Sequence, residues 1–241
     1  MPDVEQSALL RLLDLQSEDS AVKRLTEQRA SLPEAARLQE VQDHLAELES
    51  DLEIAKKQDE EIGREQHRLE GEIELVDQKI AKEEQRLFSG GVSNPKELGN
   101  LQAEVASLKK RKSDLEDQDL EVMEQRESSS ATLAKLTNER DDLSKEEAEL
   151  GAKVSELNAE IDTNLQAHSA TRDEIAAEID ADLLALYDKI RAAKSGVGAA
   201  ALEAGTCQGC HTKLAQADYE RIRAEGGLQR CDHCRRILVI R

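Results

Sequence analysis

Four cysteines are the residues of this chain whose type and spacing could do chemistry: Cys207-Gln-Gly-Cys210 and Cys231-Asp-His-Cys234, two C-x₂-C pairs separated by 20 residues. A pair spaced this way sits on a tight turn that aims both sulfurs inward, and two such turns make a tetrahedral four-thiolate site for one Zn2+. Four soft sulfur donors close the coordination sphere. No position is left for water or substrate, so the metal is expected to be structural. Four free thiols would require chance to produce both spacings. His211 and His233 stand beside ligands and are alternative donors, whereas His44, His67 and His168 have no companion at metal spacing. Confinement of every cysteine to residues 207–234 fits a reducing compartment and a metal better than disulfides.

The elements that must position these sulfurs are short. VGAAALEAG precedes the first pair, a polar stretch with Tyr219 and Ile222 separates the two, and Ile237-Leu-Val-Ile240 follows the second. This is the pattern of a small zinc ribbon of short strands over residues 195–241. With almost no aromatic residues for a core, it is expected to need its metal to fold.

Residues 1–194 read differently. Positions 38, 41, 45, 48 and onward to 87 keep an unbroken 3,4 spacing, and the spacing resumes from 98 to 147 after RLFSGGVSNPKEL. Opposing seam positions sum to 184 or 185, so that Leu87 faces Leu98, Ile80 faces Val105 and Leu69 faces Leu115. That is the signature of an antiparallel coiled-coil hairpin with one register. The turn lies near 88–95, at Gly90 and Gly91. Asn94, Pro95 and Glu97 take the N-cap, first-turn and N3 positions of the next helix. The same register sets Asp59 opposite Arg126 and Gln66 opposite Asp119, polar layers that fix register at a cost in stability. Each arm would run about 75 Å at 1.5 Å per residue. Residues 5–31 form a further helix ending at Ser31-Leu32-Pro33. It returns beside a stuttered stretch from Leu165 to Ile190, pairing Val22 with Leu165 and Leu12 with Ile175. Gly196 is the left-handed cap after Lys194. The expected fold is mainly α: a long antiparallel coiled-coil hairpin (1–194) followed by the ribbon (195–241).

The net charge of −19 and a 35% share of charged residues belong to an acidic, soluble coiled coil that repels nucleic acid over most of its length. Cationic surface is confined to two places. Residues 86–112 carry Arg86, Lys96, Lys109, Lys110, Arg111 and Lys112 against Glu97 and Glu104, although the acidic segment Glu72–Glu84 faces them. The ribbon carries Arg221, Arg223, Arg230, Arg235, Arg236 and Arg241, which suit phosphates or an acidic protein. Phe88, the only phenylalanine, is expected to cap the hairpin end, with a role as an exposed partner anchor as the alternative. No apolar run reaches the roughly 18 residues of a membrane span, and MPDVEQSALL has no basic segment before an apolar core. A cytoplasmic protein is expected.

RLFSGGVSNPKEL with the following LQAEVASLKKR, GVGAAALEAGTCQGCHTKL, and RCDHCRRILV together make the chain resemble the bacterial C4-type zinc-ribbon proteins whose ribbon follows a long coiled-coil hairpin. The resemblance covers nearly the full length; it is specific at the tip and the cysteines and loose along the arms. It implies Cys207, Cys210, Cys231 and Cys234 as zinc ligands. It also implies a binding protein without established enzymatic activity, linked by analogy to nucleic acid or the transcription machinery. One residue departs from the family pattern: Arg235 stands where the family usually has glycine after the last cysteine. If the backbone there is left-handed, it is strained.

No Ser/His/Asp set, Cys/His set or GxxxxGK[ST] loop occurs in the chain. Enzyme activity and a small-molecule substrate are therefore not expected. The expected function is a zinc-binding adaptor contacting a protein of the transcription or RNA-handling machinery, through the ribbon and also the tip. Nucleic-acid contact, if made, is local, because the ribbon lacks an aromatic stacking surface. Two alternatives are a regulatory factor that inserts its tip into a polymerase-like channel and a purely structural spacer. The first is weakened by a tip holding Ser89, Ser93, Asn94 and Lys96 with only Glu97 acidic, too few carboxylates for a catalytic magnesium.

Overall fold

The computed structural model describes residues 5–90 and 94–240; Gly91 and Ser93 of the expected tip, and Arg241, lie outside them. The described helices are α1 (Gln6–Ala30), α2 (Pro33–Phe88), α3 (Pro95–Ala177), α4 (Ala181–Ala193) and α5 (Gln216–Glu225). The strands are β1 (Ala199–Glu203), β2 (Thr206–Cys207), β3 (Gln229–Arg230) and β4 (Ile237–Ile240). Packing groups the chain differently from the linear division at residue 194. One unit is Leu38–Glu149, and the other joins the residues up to Arg37 with those from Leu150 onward.

The first unit is the helical hairpin. Heptad residues such as Val41, Leu45, Leu48, Leu52, Leu101 and Val105 are buried, others along the seam are half-buried, and Leu69, Val76, Ile80 and Leu115 form one cluster with Leu108 and Val122 packed against it. Leu69 thus meets Leu115, as the register demands. Helix α2 runs through Gly63 and Gly71, so burial along the seam overrides their poor propensity. At the start of α3, Asn94 Oδ1 accepts the Lys96 N–H at 3.0 Å, and Pro95 is the first helical residue.

Three expectations for this unit need correction. The Arg126 guanidinium donates to Gln66 Oε1 at 2.7 Å rather than pairing with Asp59, which instead accepts a bond from Ser130 Oγ at 3.4 Å. Gln66 is the buried member, so its amide oxygen needs a donor more than the half-buried Asp59 carboxylate does. Asp119, expected opposite Gln66, keeps a buried Oδ1 without a partner among the described residues. Phe88 is 80% exposed and is not packed over the hairpin end among the described residues: it follows the last seam residue, Leu87, and falls off the apolar stripe.

The second unit holds the ribbon. Helix α1 presents Leu9, Leu12 and Leu15 to Ile179, Leu183, Tyr187 and Ile190, a core that also takes in Ala199, Ile237 and Val239 of the sheet. Leu12 and Ile175 share this core, as the expected pairing requires. The expected stutter is a true break. Helix α3 ends at Ala177, and Asp180 caps α4 by accepting the N–H groups of Asp182 at 3.0 Å and Leu183 at 3.3 Å. Helix α4 is capped by Lys194, and the left-handed residue after the cap is Ser195 at φ +56° rather than the expected Gly196, which follows it at φ +90° and donates its N–H to the Arg191 carbonyl at 2.9 Å.

The four strands lie in the order β2-β1-β4-β3, with β1 and β4 parallel at the centre and the outer strands antiparallel to them. Side chains alternate along β1 and β4. Ala199, Ile237 and Val239 turn to the helices, whereas Ala200, Leu202 and Leu238 turn to a second core with Cys207, Leu214, Ile222 and Cys231. Both sheet faces are therefore covered, one by α1 and α4 and the other by α5 and the cysteine knuckles.

Candidate metal centre

The two knuckles are built alike. In the first, Cys207 N–H donates to the Thr212 carbonyl at 3.1 Å and His211 N–H to the Cys207 carbonyl at 2.7 Å. In the second, Cys231 N–H donates to the Arg236 carbonyl at 2.9 Å and Arg235 N–H to the Cys231 carbonyl at 2.7 Å. Each closes with a left-handed residue after its second cysteine, His211 at φ +56° and Arg235 at φ +64°. The strain expected from Arg235 in place of glycine is present, and His211 shares it. Ala204 (φ +47°) and Gly205 (φ +78°) form the two-residue turn that joins β1 to β2 and delivers Cys207.

The four sulfurs lie within 4.8 Å of one another, with Cys207 and Cys234 Sγ 3.9 Å apart and Cys210 and Cys231 Sγ also 3.9 Å apart. A zinc tetrathiolate with bonds of about 2.3 Å has edges of about 3.8 Å, so the donor set fits Zn2+ as it stands. None of the cysteines is in a disulfide. In the metal-free site, burial pushes the Cys207 thiol up to about 12 and raises Cys231, whereas bonding to Thr212 draws Cys210 down to about 6. Zinc must displace the protons of the two buried thiols. When bound it supplies charge neutralisation and cross-linking of the two knuckles.

Several residues outside the cysteine motifs hold this centre on the helices. Gln16 of α1 is buried; its Oε1 accepts from the Gly198 N–H at 2.6 Å and the Ala199 N–H at 3.3 Å, and its Nε2 donates to the Gly196 carbonyl at 3.0 Å. Tyr187, fully buried, donates its hydroxyl to Asp19 at 2.7 Å, and Asp19 also meets Arg191 at 3.3 Å and Arg172 at 3.4 Å. Gly198 packs so close to Tyr187 that a Cβ there would lie 2.7 Å from the ring. At Gly209 a Cβ would lie 2.8 Å from Arg236 Cδ and 2.9 Å from Ala200 Cβ. The polar interruptions at Gln16 and Asp19 in the leucine stripe of α1 were the available clue.

The cations expected to meet a partner are mostly engaged within the chain. Arg236 donates to the carbonyls of Gly209 (2.9 Å), Val197 (3.0 Å) and Lys194 (3.2 Å), tying the first knuckle to the end of α4. Arg230 donates to the Arg235 carbonyl at 2.9 Å, Arg221 lies 3.4 Å from Glu225, and Arg223 stacks 5.7 Å from the Tyr219 ring centroid. Arg235 reaches Asp232 only at 3.9 Å. In the hairpin unit, Lys109 pairs with Glu84 at 2.7 Å, Lys112 with Asp77 at 2.7 Å and Arg111 with Glu72 at 3.8 Å, the neutralisation expected from the facing acidic segment. Lys110 and Phe88 are exposed.

Family models match the chain twice: a CT398-like coiled coil hairpin domain over residues 15–195 and a C4-type zinc ribbon domain over residues 206–238. An uncharacterized protein of Mycobacterium tuberculosis is 32% identical over 233 residues, covering 95% of this chain and 93% of its own length. A solved Mycobacterium smegmatis structure superposes with a TM-score of 0.83 at 28% identity, covering 98% of this chain and 99% of the other. CT398 from Chlamydia trachomatis shares the fold, with a TM-score of 0.67 at 21% identity and 98% of both chains covered.

Proposed function

Because the chain belongs to the CT398-like coiled-coil hairpin family and carries a C4-type zinc ribbon, we propose that it is a non-catalytic adaptor whose zinc-ordered ribbon makes the principal contact with a protein of the transcription or RNA-handling machinery in the cytoplasm. The observation that carries this reading is the closed four-sulfur centre, which fills the metal's coordination sphere and leaves it a cross-link rather than a reagent. Arg236, Arg230, Arg221 and Arg223 are engaged within the chain, which favours a protein partner over a phosphate backbone. No helix among the described residues is long and apolar enough to cross a membrane, consistent with a cytoplasmic site of action.

The test is affinity capture with the intact zinc-loaded protein, with and without nuclease, beside two charge-reversal variants. Arg221→Glu with Arg223→Glu alters the ribbon surface; Lys109→Glu with Lys110→Glu alters the tip. A nuclease-resistant partner lost only with the ribbon variant supports the adaptor. Loss on nuclease treatment, or retention by the ribbon variant alone, overturns it.

A further inference from the structure

The two faces of the sheet are held by different means. On the helix side, Ala199, Ile237 and Val239 close a core with Leu9, Leu12 and Leu15 of α1 and with Tyr187 and Ile190 of α4, and no cysteine belongs to it. The polar ties on this side also bypass the metal. Gln16 holds the Gly196 carbonyl and the Gly198 and Ala199 N–H groups, and Gln6 Nε2 donates to the Ile240 carbonyl at 2.8 Å. The other face is thinner: its buried members are Ala200, Leu202, Leu214, Ile222 and Leu238 together with Cys207 and Cys231, which are metal ligands.

Helix α5 depends on that thin layer. It has 10 residues, short of the roughly 12–15 that an isolated helix needs to persist in water. No side chain caps its N-terminus, and Ile222 is its one buried residue. Among the described residues, its side-chain hydrogen bonds and ion pairs stay within residues 216–229: Gln216 with Glu220, Arg221 with Asp218 and Glu225, and Gln229 with Glu225. Arg236 fastens the first knuckle to the end of α4 and makes no bond to α5 among these residues. What attaches α5 to the sheet is Ile222 and the half-buried Tyr219, packed against two knuckles that the metal cross-links.

We propose that zinc occupancy switches the order of this outer layer alone. With zinc, α5 and both knuckles are folded onto the sheet; without it they open, while β1 and β4 stay docked on α1 and α4. Metal binding is then coupled to the folding of one layer rather than of the whole ribbon. This deepens the adaptor reading and rests on it for the partner: Arg221 and Arg223 of α5 are displayed in fixed positions only by the zinc-loaded chain.

Hydrogen exchange of the full-length protein, zinc-loaded and after removal of zinc with a chelator under reducing conditions, reads the two layers separately. Amides of α5 and of both knuckles should exchange about a hundredfold or more faster without zinc, whereas the Ile237 amide, bonded to the Gly198 carbonyl at 3.0 Å, and those of α1 and α4 should change by less than about tenfold. Two substitutions make the same distinction. Ile222→Ala should raise the zinc Kd by about thirtyfold or more and leave the thermal midpoint of the zinc-free chain unchanged, because there the side chain is already out of its core. Val239→Ala, on the helix side, should lower the zinc-free midpoint. Loss of protection at Ile237, α1 and α4 together with the knuckles overturns the proposal, as does an α5 that stays protected without zinc or an Ile222→Ala change that lowers the zinc-free midpoint. If exchange divides as expected but the zinc-free chain still captures the partner, the layered order stands and the adaptor reading, with its contact at the zinc-ordered ribbon, fails.

Discussion

Replacing Arg235 by glycine should stabilise the ribbon. The residue sits at φ +64°, a left-handed conformation that costs an L-amino acid about 1–2 kcal/mol. Glycine removes that strain but returns about 0.4–1 kcal/mol through the greater freedom of the unfolded chain. The side chain itself forfeits little, because its one ion pair, to Asp232 at 3.9 Å, is between groups 59% and 57% exposed. The Arg235 N–H and carbonyl keep their bonds to Cys231 and Arg230 in either case. A net gain of about 0.5–1 kcal/mol follows, which should raise the calorimetric midpoint of the zinc-loaded protein by about 2–4 °C. It should also slow hydrogen exchange at the β4 amides, and His211→Gly, at φ +56°, should act in the same direction. A lower midpoint for both variants in the loaded protein would refute the strain argument and imply that the side chains contribute more than their exposure allows.

Gly198→Ala should have the opposite effect, since its Cβ would press into Tyr187 at 2.7 Å from the ring and 2.8 Å from the carbonyl; a loss of about 1–3 kcal/mol is expected in denaturant titration. Zinc affinity should fall steeply with acidity. Burial keeps Cys207 and Cys231 protonated near pH 7, so binding releases at least those two protons, and competition with a chelator should show Kd rising about a hundredfold per pH unit as pH drops. Cysteines at Ile62 and Val122 should form an intramolecular disulfide more readily than cysteines at Ile62 and Leu136, because only the first pair shares a seam layer; equal yields would contradict the register.

The hairpin and the metal ligands were legible because both follow from periodicity. Heptad spacing needs only local burial to assert itself, and paired C-x₂-C turns are local by construction. The α3–α4 break was less legible, since Ile175, Ile179 and Leu183 keep a helical spacing across Asp180 and only the capping bonds distinguish a break from a stutter. The placement of the ribbon on α1 and α4 was not legible. It depends on Gln16, Asp19 and Tyr187, which meet residues more than 150 positions away, and no short-range pattern encodes such pairings. Arg236 illustrates the same limit: in sequence it is one arginine among several beside the cysteines, and only the fold turns it inward onto three carbonyls. Phe88 erred in the other direction, because an aromatic residue next to a seam position is not itself on the seam.

X-ray absorption at the zinc edge of the purified, full-length protein tests the central claim most directly. One zinc per chain surrounded by four sulfurs at about 2.3 Å, with no nitrogen or oxygen neighbour, is the result predicted for a closed structural centre. A sulfur count of three with a light-atom ligand would mean that a histidine has replaced a cysteine or that water occupies an open position. Either would contradict the four-cysteine centre, and bound water would return the metal to the list of reagents.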